Sequence, residues 1–133
     1  MQLNISLIDH SLDNYKAIQK ELSKNQDSDI VVNRTDNLDL RHRHDLYIIH
    51  NHTDQVVEMV RRIQNKTDAG IYIIYSHTDE KLFKQLLNMG ISGFIDQEGG
   101  TLDRTEFMSI VDKEYHKKQK VASIVNKLKS FAC

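Results

Sequence analysis

Asp9-His10, His50-Asn51-His52 and His77 each end, or stand just past, a run of apolar residues suited to β-structure. One carboxylate and several neutral imidazoles gathered in one place would suit Zn²⁺ or another borderline divalent ion. The set that would share such a metal is Asp9, His10, His50 and His77. A small anion is the other ligand that such a pocket would take. Imidazoles close to one another also titrate together near neutrality, so the same cluster would serve as a proton-operated switch. The plainest reading is that these are polar loop residues, placed where the fold exposes polar residues.

Other chemistries find no support in the sequence. Glycine occurs only 5 times, and no glycine-rich phosphate loop follows the first apolar run. There is no nucleophile elbow, and the single cysteine, Cys133, excludes paired-cysteine metal spacing and an intrachain disulfide. One cysteine fits a reducing compartment, and a cytoplasmic location is expected. No apolar run approaches the ~20 residues of a membrane span, and the first residues lack the basic and apolar regions of a signal peptide. Lys and Arg number 18 against 19 Asp and Glu, a net charge of −1. That balance argues against a chain devoted to nucleic acid or an anionic membrane. With 39% hydrophobic and 28% charged residues, 133 residues make one globular domain with a real core.

The elements that must position the histidines follow from periodicity. Leu3 to Ile8 reads as a strand, and Leu12, Tyr15, Ile18 and Leu22 mark one face of a helix near 12–24. Ile30-Val31-Val32 is a short strand, and the polar segment Arg34 to His44 holds at most a short helix. Leu46 to Ile49 is a buried strand, followed by a helix near 54–65. Ile71 to Tyr75 is the strongest strand. Thr78 is then expected to cap a helix that Gly90 stops. Gly93-Phe94-Ile95 is the last strand, Gly99-Gly100 a turn, and 103–130 a long helix. Continuous apolar strands alternating with amphipathic helices predict an α/β fold: a doubly wound, flavodoxin-like, five-stranded parallel sheet in three α/β/α layers. Its functional loops lie at the carboxyl ends of the strands.

The long helix outlasts the fold. Phe107, Met108, Ile110, Val111 and Tyr115 supply a face for the sheet, and 114–120 is polar and basic. Val121, Ile124, Val125, Leu128 and Phe131 then resume an apolar stripe that nothing in the predicted domain remains to cover. Residues 1–116 are therefore expected to form the body, and 117–133 an extension that pairs two copies, docks a protein partner or links to a further segment. Lys113, Lys117, Lys118 and Lys120 read as a solvated face, and no nucleic-acid-reading motif accompanies them.

The order of these motifs resembles the receiver domain of bacterial two-component response regulators, over residues 3 to about 116. Ile5-Ser6-Leu7-Ile8-Asp9 is similar to the first strand and its acid, and Asp45-Leu46-Tyr47-Ile48-Ile49 to the strand before the phospho-acceptor. Ile73 to Glu80 resembles the fourth strand and its loop, and Leu87 to Ile95 the stretch leading into strand five. The departures fall on the chemistry. The acidic pair that holds Mg²⁺ reads Asp9-His10, and the acceptor aspartate falls at His50. The hydroxyl position falls on Tyr75 or, with a one-residue slip, Ser76; the lysine falls on Gln97 and the proline after it on Glu98. Phosphoryl transfer to a carboxylate needs that carboxylate, a hard cation and a positive side chain on the developing charge. The resemblance thus implies a pseudo-receiver: a non-enzymatic regulatory module that binds proteins independently of phosphorylation. Its face would include Phe94, at the family's switch aromatic, and Val121, Ile124, Leu128 and Phe131, with a homodimer expected. The rival readings are a metal- or ligand-sensing domain with a histidine-lined pocket, and the regulatory part of a longer transcription factor or signalling enzyme.

Overall fold

The computed structural model describes residues 1–25, 29–76, 79–97 and 99–132. The elements in chain order are β1 (Leu3–Ile8), α1 (Asp13–Lys24), β2 (Ile30–Thr35), β3 (Leu46–His50) and α2 (Val56–Lys66). They continue with β4 (Gly70–Tyr75), α3 (Glu80–Asn88), β5 (Gly93–Asp96) and α4 (Arg104–Ala132). All strand pairs are parallel, in the order β2-β1-β3-β4-β5.

The period of two along each strand sorts the side chains into two cores. Leu3, Ile5 and Leu7 of β1, Leu46 and Ile48 of β3, and Tyr72 and Ile74 of β4 pack with Ile18 and Leu22 of α1 and Phe107, Ile110 and Val111 of α4. Tyr47, Ile49, Ile71 and Ile73 face the other way, onto Val56, Val60 and Ile63 of α2 and Leu86 of α3. The doubly wound three-layer fold is therefore present, with the extended last helix.

Three local expectations are corrected, and the segment between β2 and β3 is specified. Leu12 is exposed because α1 begins only at Asp13, and the buried row is Asn14, Ile18 and Leu22 at four-residue spacing. β2 runs on to Thr35, since its register with β1 continues from Leu3 opposite Ile30 to Ile8 opposite Thr35. Pairing at a sheet edge carries the polar residues Asn33 and Arg34 into the strand. Residues 36–44 hold no helix: Leu38 and Leu40 pack on the α2 side of the core, and Arg41 chelates Asp39 at 3.1 Å. Hydrogen bonds from Arg41 pull the Asp39 carboxyl down to about 2. The cap of α3 is Asp79, which accepts from the Leu82 N–H at 3.2 Å. Thr78, the sequence's choice for that cap, lies outside the described residues. Gly90 does stop α3, at φ 79° in the left-handed region.

At the amino edge, two buried-side contacts root α4. Glu114 is buried and accepts from the Tyr72 hydroxyl at 3.3 Å. Lys118 pairs with Asp45 at 2.8 Å and also donates to the Gln2 carbonyl. Beyond Lys118 the described side chains of α4 are exposed.

Candidate functional site

Strand order reverses at β1 and β3, which opens a crevice outside their carboxyl ends. Asp9 follows β1 and His50 ends β3, so the topology brings them to this crevice. A chain of hydrogen bonds fills it. Asp9, 3% exposed, accepts the Ser11 N–H on Oδ1 at 3.0 Å and the Asn14 amide on Oδ2 at 2.9 Å. Asn14, 1% exposed, also donates to Gln97 Oε1 at 3.0 Å. The same oxygen lies 2.8 Å from His50 Nε2. His50 Nδ1 in turn accepts the His52 N–H at 3.1 Å. These partners dictate the tautomer: the proton sits on Nε2, and Nδ1 is the acceptor.

Around this chain the remaining sequence candidates diverge. His10 turns outward to Asp36, 3.5 Å away, which Arg34 holds on its other side at 2.8 Å. Arg34 is the main cause that lowers the Asp36 carboxyl below its ordinary value. Ser76 Oγ meets His52 Nε2 at 2.9 Å, joining the loops after β3 and β4. The rings of His50 and His52 meet edge-on at 5.1 Å. Tyr75 packs edge-on against Phe83 and Phe94, whose rings stack at 3.8 Å. Gln55, in the loop between His50 and α2, is held left-handed at φ 61°. His77, Glu98 and Cys133 lie outside the described residues.

What this edge does chemically follows from its occupied atoms. Both Asp9 oxygens, both His50 nitrogens and the Gln97 oxygen already serve protein partners. A hard cation of the Mg²⁺ type needs free oxygen ligands. Asp9 stands without a second acid, and His10 points to Asp36, so the residues do not fit that ion. Among the described residues no three His, Cys, Asp or Glu side chains gather as a metal set. Gln97, which the resemblance sets at the family's lysine position, offers a neutral amide.

Sequence reasoning missed Asn14, the hub of the chain. Its signal was the spacing to Ile18 and Leu22, which places a polar side chain in a buried helical row. Its Oδ1 has no hydrogen-bond partner among the described residues.

No model of a known protein family matches the chain, and no curated protein matches it. Solved structures do. A response regulator receiver protein from Pseudoalteromonas atlantica is 15% identical, with a TM-score of 0.71 over 86% of this chain and 98% of its own. The signal receiver domain of an HD domain-containing protein from Pseudomonas fluorescens Pf-5 is 17% identical, with a TM-score of 0.74 over 90% of this chain and 99% of its own. A chain that fuses a segment of the yeast Spc42 trimeric coiled coil to another protein is 13% identical, with a TM-score of 0.67. That match covers 99% of this chain and 95% of the other. The fold is that of response regulator receiver domains.

Proposed function

We propose that this chain is a regulatory pseudo-receiver: a signal-transduction module that works by binding proteins, without phosphorylation and without catalysis, in the cytoplasm. The observation that carries the reading is the closed chain Asp9–Asn14–Gln97–His50. By the resemblance, these positions answer to the acidic pair, the acceptor carboxylate and the lysine that a receiver needs. Both His50 nitrogens are engaged by protein groups, and a neutral amide beside the imidazole supplies no positive charge to stabilise a phosphoryl transfer. The loops of the carboxyl edge are instead tied to one another by hydrogen bonds.

The output surface in this reading combines α3, β5 and the helical tail. Leu87 on α3 is exposed, and the stacked Phe83 and Phe94 hold the aromatic of β5 in one place. Residues 1–116 act as the body, and 117–133 as the segment that pairs copies. Val121, Ile124, Val125, Leu128 and Phe131 stand exposed along it.

The test is incubation with acetyl phosphate, and separately with beryllofluoride, in the presence of Mg²⁺. The mass and the amide spectrum are expected to stay unchanged. A stoichiometric adduct on Asp9 or His50, or a global spectral shift with beryllofluoride, would overturn the reading.

A further inference from the structure

The lysines of the tail stand where solvation alone would not put them. At about 100° per residue, Phe131, Ile124, Leu128, Val121 and Val125 follow one another around α4 in an arc of about 120°. All five are exposed. Lys120 and Lys127 border that arc on one side, within about 40° of Phe131. Lys129 borders it on the other, about 40° from Val125. The far side of the helix carries Gln119, Ser123, Asn126 and Ser130, all uncharged. A merely solvated tail would spread its charges over that far side. Here the cations line the rims of the apolar arc.

No acid of the tail balances them. All 19 Asp and Glu residues of the sequence lie at or before Glu114, and the nearest one in the body, Asp45, is taken up by Lys118. Two copies laid arc to arc would set lysine rims against lysine rims, where paired helices ordinarily place opposite charges. An occupant with carboxylates along both edges of an apolar strip buries the arc and neutralises the rims together. The shape of the place narrows that occupant to a protein. The arc faces nearly the same way as Phe107, Ile110 and Val111, which rest on the sheet, since a step of two heptads turns a helix by only about 40°. Val121 accordingly lines one hollow with Leu3, Arg43, Asp68 and Gly70 at the body's amino edge. Body and arc form an inside corner. A flat lipid surface laid along the arc would run into the body, whereas a helix about 10–12 Å across lies within the corner.

We propose that the tail docks an acidic amphipathic helix of another protein, in place of a second copy of itself. This rests on the reading of the chain as a protein-binding module and names the chemistry of the partner. The apolar strip holds the two helices together, and the carboxylates select the partner. Pairing of copies is the form that this partner opens.

The probe is a synthetic helical peptide whose leucine stripe is bordered on both sides by glutamate, set against a twin with glutamine at the same places. Each is labelled and titrated with the full chain by fluorescence anisotropy, and sedimentation gives the state of the chain alone and with peptide. The glutamate peptide is expected to bind about tenfold more tightly than its twin at low salt. That gap is expected to close at about 0.5 M salt and in the combined variant Lys120→Gln, Lys127→Gln and Lys129→Gln. Equal affinity of the twins for the parent chain, or no binding of either, overturns the proposal. So does a dimer that the glutamate peptide does not open, which gives the arc to a second copy. Binding to phosphatidylserine vesicles that the glutamate peptide fails to compete away overturns it in favour of lipid. None of these outcomes bears on the acetyl phosphate result, so this proposal and the pseudo-receiver reading fail separately.

Discussion

Nε2 of His50 lies 2.8 Å from Oε1 of Gln97, so β3 and β5 are joined by side chains across the end of the strand that separates them. The bond passes over β4 and gathers Asn14 and Asp9 behind it. Three strand ends and the start of α1 thus share one polar chain. A receiver edge built to accept a ligand keeps such atoms free; here they satisfy one another.

Gln97→Ala should reveal what this chain contributes. It leaves the His50 N–H and one N–H of Asn14 without their acceptor, which costs about 1–3 kcal/mol at a buried site. The urea midpoint should fall while its slope stays the same. A midpoint equal to that of the parent protein would mean that water replaces the amide and that the chain is dispensable.

Zinc titration tests the metal-sensing alternative. Because both His50 nitrogens are engaged by protein groups, stoichiometric Zn²⁺ should leave the melting temperature where it is. A bound ion at a hundredfold excess over its dissociation constant would add about 2.7 kcal/mol. A rise of that size, lost in His50→Ala and in His77→Ala, would replace the protein-binding reading by a metal-sensing one.

Alkaline stability should report the root of α4. Burial first, and then the neighbouring Glu114, push the Tyr72 hydroxyl up from 10.0 to about 12. Between those values the unfolded chain loses the proton and the folded chain keeps it. The contribution is therefore complete below pH 10 and lost as the pH climbs toward 12. Tyr47 and Tyr115 shift in the same direction, both chiefly through burial. Tyr72→Phe should cost about 1 kcal/mol near neutrality, by leaving Glu114 without its donor, and should soften the alkaline decline. Denaturation midpoints from pH 8 to 11.5 check this; identical slopes in both proteins would refute the assignment.

The loop after His50 stores backbone strain at Gln55, φ 61° and ψ 38°. A side chain in the left-handed region costs roughly 1–2 kcal/mol, and glycine avoids it at some cost in chain entropy. Gln55→Gly should raise stability by about 0.5–1 kcal/mol in thermal melts. A destabilised variant would show that the Gln55 side chain, rather than its backbone, matters there.

The five strands were legible because each is a short apolar run; β3 and β4 differ from expectation by a single end residue. The sequence predicts a shorter β2 because Asn33, Arg34 and Thr35 carry no apolar signal; only pairing to Ser6, Leu7 and Ile8 makes them a strand. The site was legible in part. Strand order predicts that Asp9 and His50 approach one crevice, but rotamers decide that His10 goes to Asp36 and His52 to Ser76. Asn14 escaped notice because a lone polar residue in an amphipathic helix looks like its solvent side. Glu114 escaped for the same reason: its burial depends on a tyrosine from another element.

The 29 residues of α4 span ~43 Å, and only the first half rests on the body. Past Lys118 the remaining run to Phe131 is a free arm ~20 Å long. The Lys118–Asp45 pair, at the point of departure, is its fulcrum. A tilt of ~10° there sweeps Phe131 through ~3–4 Å, about the radius of a side chain. The arms on the two sides of Lys118 are about equal, ~21 Å and ~20 Å, so a shift of the near end of α4 arrives at Phe131 at about its own size and in the opposite direction. The helix is a lever that relays, without enlarging it, a change in the packing of Phe107, Ile110 and Val111 on the sheet.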